Sequence, residues 1–392
     1  MKNKASLSVI FFTIFIDLMG FGILIPILPT FASKELGVPD YGIGIIVAIF
    51  SLMQFLFNPL LGKLSDVVGR KPIITATLLL TSISYVIFSF ANSFGILFLS
   101  RALAGLGGSN IGVAQAYITD ITPPEERLKG MGIIGVAFGL GFVFGPLIGA
   151  FVSKFGYAVA GLSSAVFSFT AFLFALLVLP ESKQWKSEKV NFHFKLFDIK
   201  YTQEVLRKPV VGLLIFIFFI IIFSIANLYG TFALLGYKFY HFTDQQNGIL
   251  FGIMGIIGAL VQGVLIKFTN KISERVLLIF GLILMMIGLA GIPYGGNFSG
   301  VIVIISILSI GTGILQPLIL SMISKFSKQE EQGSILGLNQ SFSAFARVLG
   351  PLWGGFSYDY LGYRAPFITG AVFTFFILMI VINFWKKFNL EI

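Results

Sequence analysis

Three ionisable side chains lie inside long apolar stretches of this sequence: Asp17, Arg101 and Arg347. Burying a charge in hydrocarbon is costly, so an ionisable residue in such a stretch is a candidate for function. Desolvation favours the neutral form of a carboxyl group, whereas a nearby cation favours its charged form. Asp17 is the one carboxylate deep inside an apolar stretch, and we predict that it loads and releases a proton. The alternative is a fixed ion pair that only holds helices together.

The composition indicates what kind of element positions these residues. The chain has 392 residues, of which 56% are hydrophobic and 11% are charged, against about 25% charged in a typical soluble domain. Its mean hydropathy is +0.95. These values exclude a soluble, disordered or collagen-like protein. With no cysteine and two histidines, zinc fingers, iron–sulfur clusters and thiol catalysis are excluded as well.

The apolar stretches predict transmembrane helices. A helix needs about 20 apolar residues to cross a bilayer, and the runs are continuous rather than alternating as in a barrel. We predict an all-α integral membrane protein with twelve spans, at 6–29, 41–61, 73–91, 95–119, 130–152, 157–179, 209–232, 246–267, 275–292, 300–323, 333–355 and 365–385. The first run is read as a retained helix, since it is long and lacks a cleavage site.

Lysine and arginine predict the orientation. Of the 27 basic residues, 21 lie in segments on the side of the N-terminus, four lie on the opposite side and two lie inside spans. By the positive-inside rule both termini are cytoplasmic, and the expected location is the cytoplasmic membrane. The net charge of +10 is then mainly an orientation signal, so we expect the lipid bilayer as a partner and no nucleic acid.

The chain divides into two similar halves. The long polar stretch after residue 180 separates six spans from six, which predicts bundles at 1–180 and 208–392 with a cytoplasmic linker at 181–207. Gly145-Pro146-Leu-Ile-Gly in span five matches Gly350-Pro351-Leu-Trp-Gly in span eleven. Six-helix repeats around a central site are typical of secondary transporters.

Four motifs in the first half carry a family resemblance. Residues 62–72 read Gly-Lys-Leu-Ser-Asp-Val-Val-Gly-Arg-Lys-Pro, and 99–108 read Leu-Ser-Arg-Ala-Leu-Ala-Gly-Leu-Gly-Gly. Residues 139–149 read Gly-Leu-Gly-Phe-Val-Phe-Gly-Pro-Leu-Ile-Gly, and Asp17 begins Asp-Leu-Met-Gly-Phe-Gly. The chain resembles the major facilitator superfamily and, within it, the twelve-helix drug/proton antiporters such as tetracycline and quinolone exporters.

The resemblance implies roles for several residues. The motif around Arg101 makes this arginine the partner that controls Asp17, so that the two form the proton-coupling pair. The 62–72 loop implies a cytoplasmic gate, in which Arg70 pairs with Asp120 and Asp66 lies at the N-terminus of span eleven. The predicted gate residues are Gly62, Asp66, Gly69, Arg70 and Asp120, with both glycines permitting tight turns.

A row of small residues in span five predicts close helix packing. Gly141, Gly145 and Gly149 recur every four residues and let another helix approach, and Pro146 removes one backbone hydrogen bond. The family motif associates this row with antiport. A pure packing role is the alternative.

Polar residues within the spans are candidates for a substrate cavity. Some are expected to line the cavity and others to bond across helices: Gln54, Asn58, Gln115, Asn227, Gln262, Gln316 and Asn339. Arg347 is also predicted to line the cavity. The alternative is that its side chain extends toward the outer lipid headgroups. The embedded charges sum to +1, which favours anionic or neutral substrates over dications.

These expectations combine into one functional hypothesis. The chain is predicted to be a monomeric secondary transporter that exports small amphipathic molecules by proton antiport, with the proton as coupling ion and no other cofactor or metal. It is not expected to be an enzyme, because no cluster of nucleophile, base or metal ligands is visible. A lipid, lysolipid or metabolite transporter on the same fold remains an alternative, and a non-transporting sensor is a more distant one.

Overall fold

The computed structural model describes residues 2–122, 127–182, 199–268, 272–327 and 331–388, and these residues form helices without any β-strand. The helices are α1 (Lys2–Leu24), α2 (Leu28–Lys34), α3 (Asp40–Val68), α4 (Arg70–Ser89), α5 (Phe94–Gly107), α6 (Ile111–Ile121), α7 (Arg127–Val152), α8 (Tyr157–Val178), α9 (Ile199–Arg207), α10 (Pro209–Lys238), α11 (Asp244–Phe268), α12 (Glu274–Gly291), α13 (Phe298–Lys325), α14 (Gln332–Tyr360) and α15 (Ala365–Phe388). The predicted all-α membrane fold is confirmed.

Each predicted span corresponds to one helix or to a pair of consecutive helices. Within the described residues, ten segments are long and apolar enough to cross a membrane. The other two predicted spans are the helices α11 and α14. The short helix α9 comes directly before α10, in the stretch that was predicted as a linker.

Two predicted spans are interrupted, for local chemical reasons. The first breaks between α1 and α2, around Pro26, because a proline in a helix interior removes a hydrogen bond and clashes with the preceding turn. The fourth breaks at the 3₁₀ turn Gly108–Asn110 between α5 and α6, where consecutive glycines lower the helix propensity. The second interruption includes Asn110, which contacts Asp17.

Contacts divide the chain into two compact units. The first comprises Met1–Val38, Ile49–Leu196 and Thr243–Gly252, and the second comprises Pro39–Ala48, Phe197–Phe242 and Ile253–Ile392. Two long helices are therefore shared: α3 begins in the second unit and continues in the first, while α11 does the reverse. The sequence boundaries at 180 and 208 stay a prediction of how the bundles are organised.

The same helix pairings recur in both units. In the first, α1 packs on α7 and α4 packs on α5 and α8; in the second, α10 packs on α14 and α12 packs on α13 and α15. The matching Gly-Pro motifs lie within α7 and α14, at Pro146 and Pro351. This recurrence agrees with the internal repeat of the sequence.

The shared helix starts are fixed by polar contacts inside each unit. In the second unit the buried Asp40 accepts from Lys238 Nζ at 2.6 Å. In the first unit Tyr157 donates its hydroxyl to Asp244 at 2.8 Å. Each aspartate is the first residue of its helix, where an anion is favoured by the helix dipole.

Candidate functional site

Asp17 is buried in α1 and is held by two hydrogen bonds. Its carboxylate accepts from Ser168 Oγ of α8 at 2.7 Å and from Asn110 Nδ2 at 3.5 Å. The close approach of α8 depends on Gly20, because a Cβ atom there would lie 2.9 Å from the Ser164 carbonyl oxygen. Asp17 is thus surrounded by neutral hydrogen-bond donors, which stabilise a carboxylate without cancelling its charge.

The expected ion pair between Asp17 and Arg101 is not formed in this structure. Arg101, on α5, is 4% exposed, and its guanidinium carbon lies 4.7 Å from the ring centroid of Phe50 and 5.9 Å from that of Phe21. Two neutral donors meet the needs of the carboxylate, while two aromatic faces attract the cation. The proton-coupling role of the two residues stays a prediction. Tyr85 of α4 is also buried.

The predicted cavity residues fall into different environments. Gln54 donates to the Gly108 carbonyl at 3.0 Å and Asn227 donates to the Pro366 carbonyl at 2.7 Å, so both bond across helices. In Asn339, which is fully buried, neither side-chain polar atom has a hydrogen-bond partner. Asn58 Oδ1 is also buried and has no hydrogen-bond partner. An unpartnered buried amide atom is costly. Asn227 Oδ1 is one as well, so Asn58, Asn227 and Asn339 are the stronger candidates for binding.

The remaining cavity candidates are less constrained. Gln115 and Gln262 are exposed, and Gln316 is half-buried. Arg347, on α14, is half-buried, and no ion pair or hydrogen bond joins it to another described residue. Arg347 belongs to the second unit and Arg101 to the first. The expected placement of Arg347 in the substrate cavity remains a prediction.

Arg70 is the centre of a polar cluster between α3 and α4. Its guanidinium group contacts Asp66 at 2.6 Å, Asp120 at 3.0 Å and Ser65 Oγ at 2.5 Å. The ion pair with Asp120 is the one expected from the sequence. Only an arginine presents several donors in a planar fork. The expected position of Asp66 at the start of span eleven stays a prediction.

The two glycines of this segment differ. Gly69 adopts φ 110°, in the region that favours glycine, and makes the turn between α3 and α4. Gly62 lies inside α3, which continues to Val68. The prediction of a turn at Gly62 was therefore wrong, because the helix continues for six further residues.

Sequence reasoning missed a further member of the cluster. Glu181 accepts the backbone N–H of Arg70 at 3.0 Å and also that of Lys71. A carboxylate at this position caps the start of α4 and complements its dipole. Ser182 donates a hydrogen bond to Asp120 Oδ2, the oxygen that also pairs with Arg70 Nε. The one signal in the sequence is an acidic residue directly after span six, which is too common to be decisive.

The small residues of α7 pack directly on α1. A Cβ atom on Gly145 would lie 2.5 Å from Gly22 Cα, and one on Gly141 would lie 2.6 Å from Leu18 Cβ. A Cβ atom on Gly149 would lie 2.5 Å from the carbonyl oxygen of Ile23. The predicted close approach is therefore observed, and α1, the helix that carries Asp17, is the partner. Pro146 lies within α7, which continues through it.

Comparisons with known proteins agree with this arrangement. The family model of the Major Facilitator Superfamily matches residues 10–351 and 238–388. Tetracycline resistance protein, class E, of Escherichia coli is 31% identical over 353 residues, which are 88% of this chain and 86% of that protein. Multidrug resistance protein 1 of Bacillus subtilis (strain 168) is 29% identical, over 95% of this chain and 94% of that protein.

The fold also matches a solved transporter structure. The crystal structure of the human organic anion transporter MFSD10 superposes with a TM-score of 0.72 at 23% identity, covering 97% of this chain and 100% of that one. Family and fold are thus those of membrane transporters that handle small molecules, rather than of enzymes. With its helical architecture, its internal repeat and a family match over most of its length, the chain belongs to the major facilitator superfamily.

Proposed function

We propose that this protein is a proton-coupled secondary transporter that exports small amphipathic molecules by alternating access. The observation that carries the proposal is the carboxylate of Asp17, buried in α1 and surrounded by neutral donors. The names of two relatives, a tetracycline resistance protein and a multidrug resistance protein, support an export role. We further propose a monomer in the cytoplasmic membrane with both termini inside.

Protonation of Asp17 changes what its neighbours must do. The carboxylate accepts from Ser168 and from Asn110, and a protonated carboxyl group adds one donor. A hydroxyl both donates and accepts, so Ser168 adjusts by rotation, whereas the amide nitrogen of Asn110 only donates. Binding of the proton therefore rearranges the contact between α1 and the α5–α6 turn. A proton shifts a conformational equilibrium only if it binds one state better, and this rearrangement supplies such a difference.

The direct test is transport by the purified protein in proteoliposomes with an acidic lumen. We expect ethidium, a permanent cation, or 8-anilinonaphthalene-1-sulfonate, an anion, to accumulate against its gradient. One proton exchanged per substrate supplies about 1.4 kcal/mol per pH unit, which corresponds to ~10-fold accumulation. Protein-free liposomes and addition of nigericin, which collapses the pH gradient, are the controls.

The outcome separates the alternatives. Flux that ignores the pH gradient for both dyes contradicts proton coupling and favours a facilitator of lipids or metabolites. Flux no greater than in protein-free liposomes contradicts the export of such amphiphiles. Lysolipid or metabolite carriage is then tested with labelled substrates of those classes.

The cluster around Arg70 yields a second prediction, since we propose that it acts as the cytoplasmic gate. Asp120→Asn removes a negative charge that pairs with Arg70 and accepts a hydrogen bond from Ser182. Hydrogen bonds to a charged group contribute about 1.5–3 kcal/mol each. We expect dye turnover in proteoliposomes to fall about tenfold while the dissociation constant of the dye changes less than ~2-fold.

Asp66→Asn is the graded comparison. The Asp66 side chain is 56% exposed, and exposed ion pairs contribute little, so its effect on turnover should be smaller than that of Asp120→Asn. Equal losses of binding and turnover in either variant would indicate a role in the substrate cavity rather than in the gate.

A further inference from the structure

Within the part of the chain that the structure describes, Arg101 is a buried cation without a counter-charge. It is 4% exposed, its Nε atom has no hydrogen-bond partner, and no ion pair joins it to another described residue. Contacts with the faces of Phe50 and Phe21 compensate part of its desolvation. The planar fork of donors is left unused. A group in this state gains most from an anion that accepts two hydrogen bonds at once, such as a carboxylate.

An aromatic surface lies directly beside this cation. Phe21 and Phe50 stack with ring centroids 4.9 Å apart, and Phe142 packs edge-on against Phe21 at 6.0 Å. Both Phe21 and Phe50 are only half-buried, so part of each ring is left to contact another molecule. The surface continues along α7, where Phe138 stacks on Phe142. It suits a flat, apolar group next to the anionic one.

The carboxylate of Asp17 does not occupy this position. Asp17 is held by Ser168 and Asn110, so its charge is satisfied elsewhere and the guanidinium group stays available. The backbone also brings the parts together. Gly105, one turn after Arg101 on α5, packs directly against the backbone of Phe50, because a Cβ atom there would meet the Phe50 carbonyl oxygen. The helices that carry Arg101 and Phe50 thus pack closely within the first unit.

We propose that Arg101, Phe21 and Phe50 bind amphipathic organic anions, with the carboxylate on the guanidinium group and the apolar part against the two rings. This assignment rests on the proposed transport function and names its substrate class: aryl or alkyl carboxylates of small size. The unpaired cation also disfavours ligands with two positive charges, since like charges repel when both are desolvated.

The test measures binding in detergent without any pH gradient. The probes are 2-naphthaleneacetate and 2-naphthaleneacetamide, which share one skeleton and differ in charge, and binding is followed by calorimetry at pH 7.5. For the wild-type protein we expect the acid to bind about tenfold or more tightly than the amide. In Arg101→Gln this preference should shrink to about twofold or less, and in Arg101→Lys it should be intermediate, because lysine lacks the fork.

A matched control keeps the result specific. Arg364 also lies over two aromatic rings, those of Tyr294 and Tyr363, but it is exposed. Arg364→Gln removes the same charge from the protein and should leave the acid-to-amide preference unchanged. Phe50→Leu should weaken both probes together, because it removes ring surface without removing charge.

Two results would overturn the assignment: equal binding of acid and amide to the wild-type protein, or an unchanged preference in Arg101→Gln. The comparison of acid and amide on the wild-type protein needs no variant, so it tests the assignment even if Arg101→Gln does not fold. Failure of the proposed transport function looks different. In that case the acid preference persists in detergent while dye flux in proteoliposomes ignores the pH gradient.

Discussion

Replacement of Asp17 by asparagine should abolish proton-driven accumulation while leaving substrate binding within about threefold of the wild-type value. The variant carries the neutral charge of the protonated acid at nearly the same volume. Its amide oxygen still accepts from Ser168, as the carboxylate does at 2.7 Å. No proton is bound or released at this position, so the two conformations no longer differ in proton affinity there, and the gradient has no group on which to act.

The measurement is accumulation of dye in proteoliposomes with an acidic lumen, compared with downhill exchange at equal pH. We expect Asp17→Asn to retain downhill exchange and to lose the ~10-fold accumulation per pH unit expected of the wild type. Asp359→Asn is the matched control, because Asp359 is an exposed carboxylate near the end of α14. An Asp17→Asn protein that follows the gradient as well as wild type would show that coupling resides elsewhere.

The helices could be predicted from the sequence because each membrane span is encoded by one continuous apolar run. Backbone groups in hydrocarbon must bond within their own segment, so the length and apolarity of each run determine a helix. The interruption at Pro26 follows from the same chemistry, since a proline has no N–H to donate. The hydropathy pattern does not show which helices pack against each other. That α3 begins in one unit and continues in the other has no hydropathy signal.

The Arg70 cluster shows what motif spacing can and cannot predict. The pairing of Arg70 with Asp120 was expected from a loop motif, and the two atoms lie 3.0 Å apart. Glu181, which caps α4, is as close in space but 111 residues away in the chain. A cap requires only one acceptor near the helix start. Many side chains could supply it, so the sequence does not single out Glu181.

The site around Asp17 was predicted less well for a similar reason. The family motif around Arg101 made this arginine the expected partner of Asp17. Ser168 and Asn110 are ordinary polar residues, and nothing in their spacing marks them. Hydrogen bonds from such groups stabilise a carboxylate without an ion pair. The sequence therefore identifies the unusual residue, whereas the contacts of its helix determine the partner.

The packing of α1 on α7 leads to the second large expected effect. At Gly145 a Cβ atom would lie 2.5 Å from Gly22 Cα, a distance at which backbone must move. We expect Gly145→Ala to destabilise the protein by about 1–3 kcal/mol, the usual cost of overpacking, and Gly145→Val to destabilise it more. The midpoint of thermal unfolding in detergent and the monodisperse fraction after purification report this change.

Gly139 provides an internal control on the same helix. A Cβ atom there meets nothing within 4 Å, and alanine is favoured over glycine in a helix by about 1 kcal/mol, so Gly139→Ala should leave stability equal or raised. Because Gly145 faces the helix that carries Asp17, its two possible roles give separate results. Loss of stability in Gly145→Ala with transport per folded molecule retained indicates packing alone. Full stability with loss of pH-driven transport would instead mean that this contact transmits the coupling, and the packing prediction would be wrong.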